Sequence, residues 1–169
     1  VPAHFPKDAH ALAKFDGTPI YEHPDARRGE HPDWGTYIFN YEKTEVRNFL
    51  IGSALFWIEK FHIDGLRVDA VSPILYLNCQ RNSQYPNDTI LYENTAGIEF
   101  FRKLNRMIYS EFPDVLMIAE ESTSYNGITL PLHNGGIGFS LKWNMGWAHD
   151  FFDYVSTDPI YRRYKHKAL

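Results

Sequence analysis

Two stretches of the chain have apolar side chains at helical spacing, and each predicts an amphipathic helix. The first covers about 45–60, and its stripe consists of Val46, Phe49, Leu50, Ser53, Trp57 and Phe61. The second covers about 95–111, and its stripe consists of Ile98, Phe101, Leu104 or Asn105, Ile108 and Phe112. Asn94 directly precedes the second stripe, where we expect it to act as the N-cap. A weaker pattern predicts a third helix over 147–155.

Three short apolar runs predict strands over 66–71, 115–119 and 139–144. The middle run is continuously apolar, which is typical of a strand buried on both faces. Because these strands alternate with helices, we expect an α/β fold with parallel strands. A doubly wound sheet is one form of this fold, but the sequence has no Gly-x-Gly-x-x-Gly turn to hold a dinucleotide. We therefore favour part of a (β/α)8 barrel, since a whole barrel needs roughly 250 residues.

Long polar segments separate these elements. The first 44 residues are interrupted by eight Pro and Gly residues and show no helical period, so a long loop with short turns is expected there. A second polar stretch covers 78–94. Loops of this length inside a compact domain are usually functional, and in a barrel the loops after the strands hold the active site.

Composition narrows the class of protein. The 169 residues are 44% hydrophobic and 22% charged, which excludes a disordered or collagen-like chain. No apolar run is long enough to cross a membrane, and no secretion leader opens the sequence. A net charge of −4 argues against nucleic-acid and anionic-membrane partners. The lone Cys79 cannot form an internal disulfide, so a cytoplasmic location is expected, and we interpret this residue as a bystander.

Carboxylates follow two of the predicted strands. Asp69 ends the first, and Glu120 and Glu121 follow the second. Strand ends in a parallel barrel lie at one face, where two carboxylates could act on a glycosidic bond as nucleophile and acid. A charged residue after a strand is more often only the start of a solvated loop. Arg67 weakens that interpretation, because it lies two residues before Asp69 on the same side of the strand and would keep it ionised.

These segments resemble those of a known superfamily. The sequence Gly-Leu-Arg-Val-Asp-Ala-Val at 65–71 resembles the α-amylase superfamily segment that carries the nucleophile at the end of the fourth barrel strand. Residues 119–123, Ala-Glu-Glu-Ser-Thr, resemble its fifth-strand segment, and residues 1–6 resemble the tail of its third-strand segment. The Glu-Glu-Ser-Thr form, together with residues 139–150, is similar to the 1,4-α-glucan branching enzymes.

The resemblance implies roles for four residues. Asp69 would be the nucleophile and Glu120 the general acid and base, while Arg67 and His4 would contact the sugar at the cleavage point. It implies no cofactor, and the histidines show no metal-ligand spacing, so no metal site is expected. A third catalytic carboxylate would lie in a later His-Asp-Glu segment, outside this sequence.

The resemblance also implies a fold, a reaction and a substrate. The fold would be a partial (β/α)8 TIM barrel, roughly strands three to six with their helices and long loops. Residues 1–169 would form the central part of the catalytic domain, truncated at both ends. The reaction would be a retaining transfer in which an α-1,4-glucan chain is cleaved and joined to a 6-hydroxyl of glycogen. The partner is then an α-glucan, and the oligomeric state stays open.

Two alternatives remain at this point. The same motifs fit an α-glucan hydrolase of the superfamily, and the chain by itself could be an inactive glucan-binding fragment.

Two further expectations concern neighbouring side chains. Trp34, Trp143 and Trp147 are expected either to form sugar-stacking walls or to pack in the core. Because side chains alternate along a strand, Glu121 should turn away from Glu120 toward the next layer, in a salt bridge or a cap.

Overall fold

Three parallel strands form the sheet on which the predicted chemistry depends. The structure is a computed structural model that describes residues 5–7, 14, 16–79 and 90–168. In chain order its elements are β1 (Phe5–Pro6), α1 (Ala26–Gly29), β2 (Glu30–His31), β3 (Thr36–Tyr37), α2 (Thr44–Phe61), β4 (Gly65–Val68), α3 (Ser72–Leu75), α4 (Thr95–Glu111), β5 (Leu116–Ala119), β6 (Leu141–Lys142), α5 (Met145–Ser156) and α6 (Pro159–Arg162). Short 3₁₀ segments lie at Leu132–Asn134 and His166–Ala168.

The sheet has the order β4-β5-β6, with every pair parallel. In its register, Val68 lies opposite Ala119, and Ala119 lies opposite Lys142. The carboxyl ends of all three strands therefore meet at one edge. The prediction of an α/β fold with parallel strands is confirmed for the described part of the chain.

Helix α4 lies between β4 and β5 in the chain and contributes five buried apolar side chains to the core. Its bounds are those predicted. The predicted stripe is buried at Ile98, Phe101, Leu104, Asn105 and Ile108, whereas Phe112 follows the helix as its C-cap and is partly buried. Asn94 occupies the N-cap position, but the prediction of a capping side chain is wrong. The side-chain amide of Asn94 instead donates to the backbone carbonyl of Ile74 at 3.0 Å, which ties α4 to α3.

Helix α2 lies within a residue of its predicted bounds, but its buried face is not the predicted one. The buried side chains are Val46, Ile51 and Ile58. Phe49 and Trp57, from the predicted stripe, are exposed, and Phe61 is 56% exposed. The helix carries apolar residues on several faces, so its periodicity could not select one of them.

The strands are shorter than predicted. Strand β4 ends at Val68 because Ala70 adopts the left-handed conformation, with φ of 50°, and turns the chain toward α3. Strand β6 has two residues rather than six. The expectation that β5 is buried on both faces is wrong for the described chain. Met117 and Ala119 are fully buried on the helix side, whereas Leu116 on the other side is 45% exposed.

The first 44 residues contain more structure than a loop. Strands β1, β3 and β2 form a small antiparallel sheet, and the single-turn helix α1 lies between β1 and β2 in the chain. The Tyr41 ring packs 5.1 Å from that of Phe100 in α4, which joins this segment to the core. Most of the predicted polar loop at 78–94 lies outside the described residues.

Helix α5 begins two residues before its predicted start. The Asn144 side chain accepts a hydrogen bond from the amide of Trp147 at 2.9 Å and so caps the helix. Among the described residues, no helix combines the length and the apolar character needed to cross a bilayer.

Candidate active site

Asp69 and Glu120 lie side by side at the carboxyl edge of the parallel sheet. Each follows its strand, β4 or β5, and the last residues of these strands, Val68 and Ala119, are register partners. Arg67, two residues before Asp69, is directed to the same side as both carboxylates. The structure therefore brings together three of the four residues predicted for the site. The fourth, His4, lies outside the described residues.

One nitrogen of Arg67 joins the two carboxylates. Its Nη2 atom lies 2.8 Å from Oδ1 of Asp69 and 2.8 Å from Oε2 of Glu120. These two oxygens therefore cannot be farther apart than twice that distance. Carboxyl groups about 5–5.5 Å apart are typical of retaining glycosidases, whereas inverting enzymes need roughly 6.5–9.5 Å. The upper limit for this oxygen pair lies near the spacing of retaining glycosidases.

Ala70 makes a second link between the two strands. Its backbone N–H donates to Oε2 of Glu120 at 3.0 Å, and the next amide, of Val71, donates to the Glu120 carbonyl at 3.0 Å. The left-handed φ of 50° at Ala70 is costly for a residue with a Cβ atom. Residues held in such conformations cluster at functional sites. Here the conformation turns the amide directly after Asp69 toward Glu120.

Glu121 faces the opposite way and is fully buried. Lys142 Nζ lies 2.6 Å from its Oε2 atom, while Ser72 Oγ donates to its Oε1 atom at 3.0 Å. The amide of Thr123 donates to the same Oε1 atom at 2.7 Å, and the Thr123 hydroxyl also donates to it. The predicted salt bridge is present. Glu121 thus ties β6 and the start of α3 to the end of β5.

Trp143 packs against the Arg67 side chain. The guanidinium carbon lies 4.2 Å from the centre of the indole ring, which is a cation–π contact. The sequence suggested a sugar-stacking wall or a core position for this residue. No local sequence signal links it to Arg67, because the two residues are 76 positions apart and meet only through the β4-β5-β6 sheet order.

Two adjoining clefts open at this edge of the sheet. One, of about 480 Å³, is lined by residues that include both carboxylates, Trp34, Ser72, Met145 and His149. The other, also about 480 Å³, includes Lys142, Trp143 and Asn144. Ser122 and Met145 line both. His149 also lines the first cleft, four residues after Met145 on the same face of α5, and no sequence pattern indicated this position.

The other two tryptophans differ in their surroundings. Trp34 stacks on the ring of His31, with centroids 3.9 Å apart, and it borders the cleft that holds the carboxylates. Trp147 stacks on Phe151 and is exposed. Their interpretation as sugar-stacking walls remains a prediction.

Cys79 is buried, and desolvation, with a smaller effect from the Glu121 charge, raises its pKa from 9.0 to about 11. A thiol with this pKa is a poor nucleophile at neutral pH. In the part of the chain that the structure describes, no group of three or more His, Cys, Asp or Glu residues is arranged to hold a metal ion.

Comparison with known proteins assigns the family. Residues 35–148 match the alpha amylase catalytic domain. The whole chain is 59% identical to a 1,4-alpha-glucan branching enzyme GlgB of Marinobacter nauticus, and it covers 27% of that protein. It is 57% identical to the protein of the same description from Methylococcus capsulatus and covers 23% of it. A counterpart from Oleidesulfovibrio alaskensis is 55% identical and is covered to 27%. The chain thus spans about a quarter of the length of these relatives.

Proposed function

The chain belongs to the α-amylase family, and we propose that the protein containing it is a glucan branching transglycosylase acting on an α-1,4-glucan. Residues 1–169 form the central part of its catalytic domain. In this proposal β4, β5 and β6 are consecutive strands of a (β/α)8 barrel, within the third-to-sixth-strand region. The expected cytoplasmic location rests on cysteine usage alone and stays a prediction.

The observation that carries the chemistry is the carboxylate pair held by Arg67 Nη2. Asp69 is the nucleophile. Its carboxylate attacks the anomeric carbon, and the bond from that carbon to the glycosidic oxygen breaks. Arg67 favours the ionised form of Asp69 by direct ion pairing. The product of this step is a glycosyl ester on Asp69, as expected for a retaining double displacement.

Glu120 supplies and then removes the proton. Its Oε2 atom already accepts from the Ala70 amide and contacts Arg67, so we place the transferable proton on Oε1. In the first step this proton goes to the departing glycosidic oxygen. In the second, the Glu120 carboxylate takes the proton of the incoming 6-hydroxyl as that oxygen displaces Asp69 from the anomeric carbon.

The choice of a sugar hydroxyl over water as acceptor is supported by the relatives, all three of which are described as branching enzymes. The two adjoining clefts offer room for a glucan chain on each side of Ser122 and Met145. His4 is proposed as a further sugar contact from the resemblance alone.

The experiment uses the full-length protein with amylose as substrate. Branching should lower the iodine-stain absorbance without releasing reducing ends, and a debranching enzyme should then liberate short chains. Asp69→Asn is the control for contaminating activity. Release of reducing ends in proportion to the loss of stain would indicate the hydrolase alternative. Glucan retention with neither change would indicate a binding protein.

A further inference from the structure

We propose that Trp143 is a positioning residue that holds the Arg67 guanidinium in the plane from which it reaches both carboxylates. This proposal deepens the proposed function and rests on it. The stack at 4.2 Å places the indole against the same guanidinium whose Nη2 atom contacts Asp69 and Glu120. In this arrangement Trp143 would act through Arg67.

The backbone around Trp143 is fixed on both sides. Its own amide donates to the carbonyl of Ala119 at 2.9 Å, which extends the pairing of β6 with β5. On one side, Lys142 is anchored to the buried Glu121 carboxylate at 2.6 Å. On the other, the Asn144 side chain caps α5. Three contacts therefore fix the backbone from which the indole projects.

Arg67 needs such a support. Its side chain is 37% exposed and has several rotatable bonds, and one nitrogen serves both carboxylates. Because these two contacts share one nitrogen, they restrict rotation of the guanidinium about that nitrogen less than contacts through separate nitrogens would. Stacking on an aromatic face restricts this rotation while leaving the N–H edge directed at the carboxylates. Without the ring, Nη2 would bridge both oxygens for a smaller fraction of the time.

A sugar-stacking wall is the competing role for Trp143, and the two roles predict different kinetics. A wall contributes binding that is equal in the ground and transition states, so its loss raises KM and leaves kcat unchanged. A positioning residue for Arg67 affects the ionisation of Asp69 and the approach of the two carboxylates. Its loss lowers kcat and moves the acid limb of the kcat/KM profile to higher pH, since Asp69 would hold its proton more tightly.

The test uses full-length protein with Trp143→Leu, Trp143→Phe and Phe152→Leu. Trp143→Leu should lower kcat by roughly 3- to 30-fold, the range expected for a lost cation–π contact, with the acid limb shifted upward. Trp143→Phe keeps an aromatic ring, so its kcat and the position of its acid limb should stay close to those of the wild type. Phe152 is an exposed aromatic residue of α5 that stacks edge-on against Phe151, so Phe152→Leu is the matched control. Its pH profile should not move.

A double-mutant cycle isolates the pathway through Arg67. In an Arg67→Lys background, which keeps the charge and loses the planar group, Trp143→Leu should change kcat by less than about twofold. Fully additive losses would overturn the proposal, as would a pure KM effect with an unmoved acid limb.

Crystal structures of the full-length wild type and the Trp143→Leu protein give a readout that does not depend on turnover. The Arg67 guanidinium should leave at least one carboxylate in the variant. If it keeps both contacts, the positioning role is refuted, whatever the activity. If the wild type forms no branches while the variant shows the displaced guanidinium, the proposed function fails and the positioning role stands.

Discussion

Glu120 and Glu121 are adjacent in sequence yet lie in different chemical surroundings. Glu120 borders a cleft and shares a cation with Asp69, whereas Glu121 is fully buried among Lys142, Ser72 and Thr123. The alternation of side chains along β5 causes this division. One carboxylate is therefore available to substrate, and the other holds neighbouring elements together.

Replacement of these two residues should separate the two roles. In the full-length protein, Glu120→Ala should lower turnover of natural glucan by about 10²- to 10⁴-fold, the usual contribution of acid–base catalysis. With a glucosyl donor whose leaving group needs no proton, the first step should survive, and azide should restore turnover by attacking the glycosyl ester.

Glu121→Ala should instead lower activity by destabilising the folded protein. It leaves Lys142 and the Ser72 hydroxyl without their buried acceptor, which costs on the order of 1–3 kcal/mol. The thermal midpoint should fall, and azide should have no effect. Rescue of the Glu121 variant by azide, with none for the Glu120 variant, would reverse the assignment of the acid.

Cys79 gives a pH dependence that can be measured without substrate. Because its pKa in the folded protein is raised from 9.0 to about 11, the folded state holds the thiol proton where the unfolded state has lost it. The stability that this burial contributes is complete below pH 9 and is lost as the pH rises toward 11. Between pH 9 and pH 11 the thermal midpoint of the wild type should therefore fall more than that of Cys79→Ala. Equal losses in the two proteins would show that the thiol is not desolvated.

The sequence predicted that Asp69 and Glu120 lie close together, because the signals for this placement are local. Asp69 and Glu120 each follow an apolar strand, and the spacing of Arg67 and Asp69 puts both on one side of β4. The positions of Trp143 and His149 beside this site depend on which strands and helices become neighbours. Such positions come from tertiary packing, which no local period encodes.

At the scale of elements, the same distinction explains which helices were predicted. Helix α4 has one apolar face, so both its bounds and its buried residues followed from periodicity. Helix α2 is apolar on several faces, so periodicity predicted its bounds but not its buried residues. The strands were predicted too long because the left-handed turn at Ala70 ends β4, and alanine gives no sequence signal for that conformation.

Two helical glycines should respond in opposite directions to alanine. A Cβ atom at Gly97 in α4 would lie 2.1 Å from the carbonyl oxygen of Ile74. Gly97→Ala should therefore push α4 away from α3 and destabilise the protein by about 1–3 kcal/mol. Gly52 in α2 has open space around its Cβ position, so Gly52→Ala should stabilise by up to about 1 kcal/mol.

Thermal or urea unfolding of the two alanine variants, each compared with wild type, measures both changes in stability. A loss of stability at both positions would mean that the outer face of α2 is covered in the full-length protein. A gain at both would mean that α3 and α4 do not approach each other as closely as the structure has them.

At the scale of the whole molecule, the described sheet has two open edges, β4 and β6. Several large apolar side chains are exposed on α2 and α5, among them Phe49, Phe56, Trp57, Phe61, Trp147 and Phe152. Since the chain spans about a quarter of its relatives, the parts of a full-length protein that follow the same fold would cover these edges and faces.

The isolated 169-residue chain is therefore expected to associate or to fold only loosely, and to show no branching turnover. Open parallel edges and apolar faces of this size favour intermolecular contacts. Light scattering and size-exclusion chromatography of the isolated chain measure its association, and calorimetry measures its cooperativity. A monomer with a sharp cooperative melt would contradict the expectation, and the sheet edges would then have to be protected from within this chain.

The shared Arg67 nitrogen limits the distance between the Asp69 and Glu120 oxygens that it contacts. The groups that make these contacts come from β4, β5 and the residues that directly follow them: Arg67, Asp69, Ala70 and Glu120. None of these groups comes from the long segments at 16–43 and 124–140. Exchange of these two segments in protein engineering should therefore leave the contacts of the Arg67 nitrogen with Asp69 and Glu120 in place.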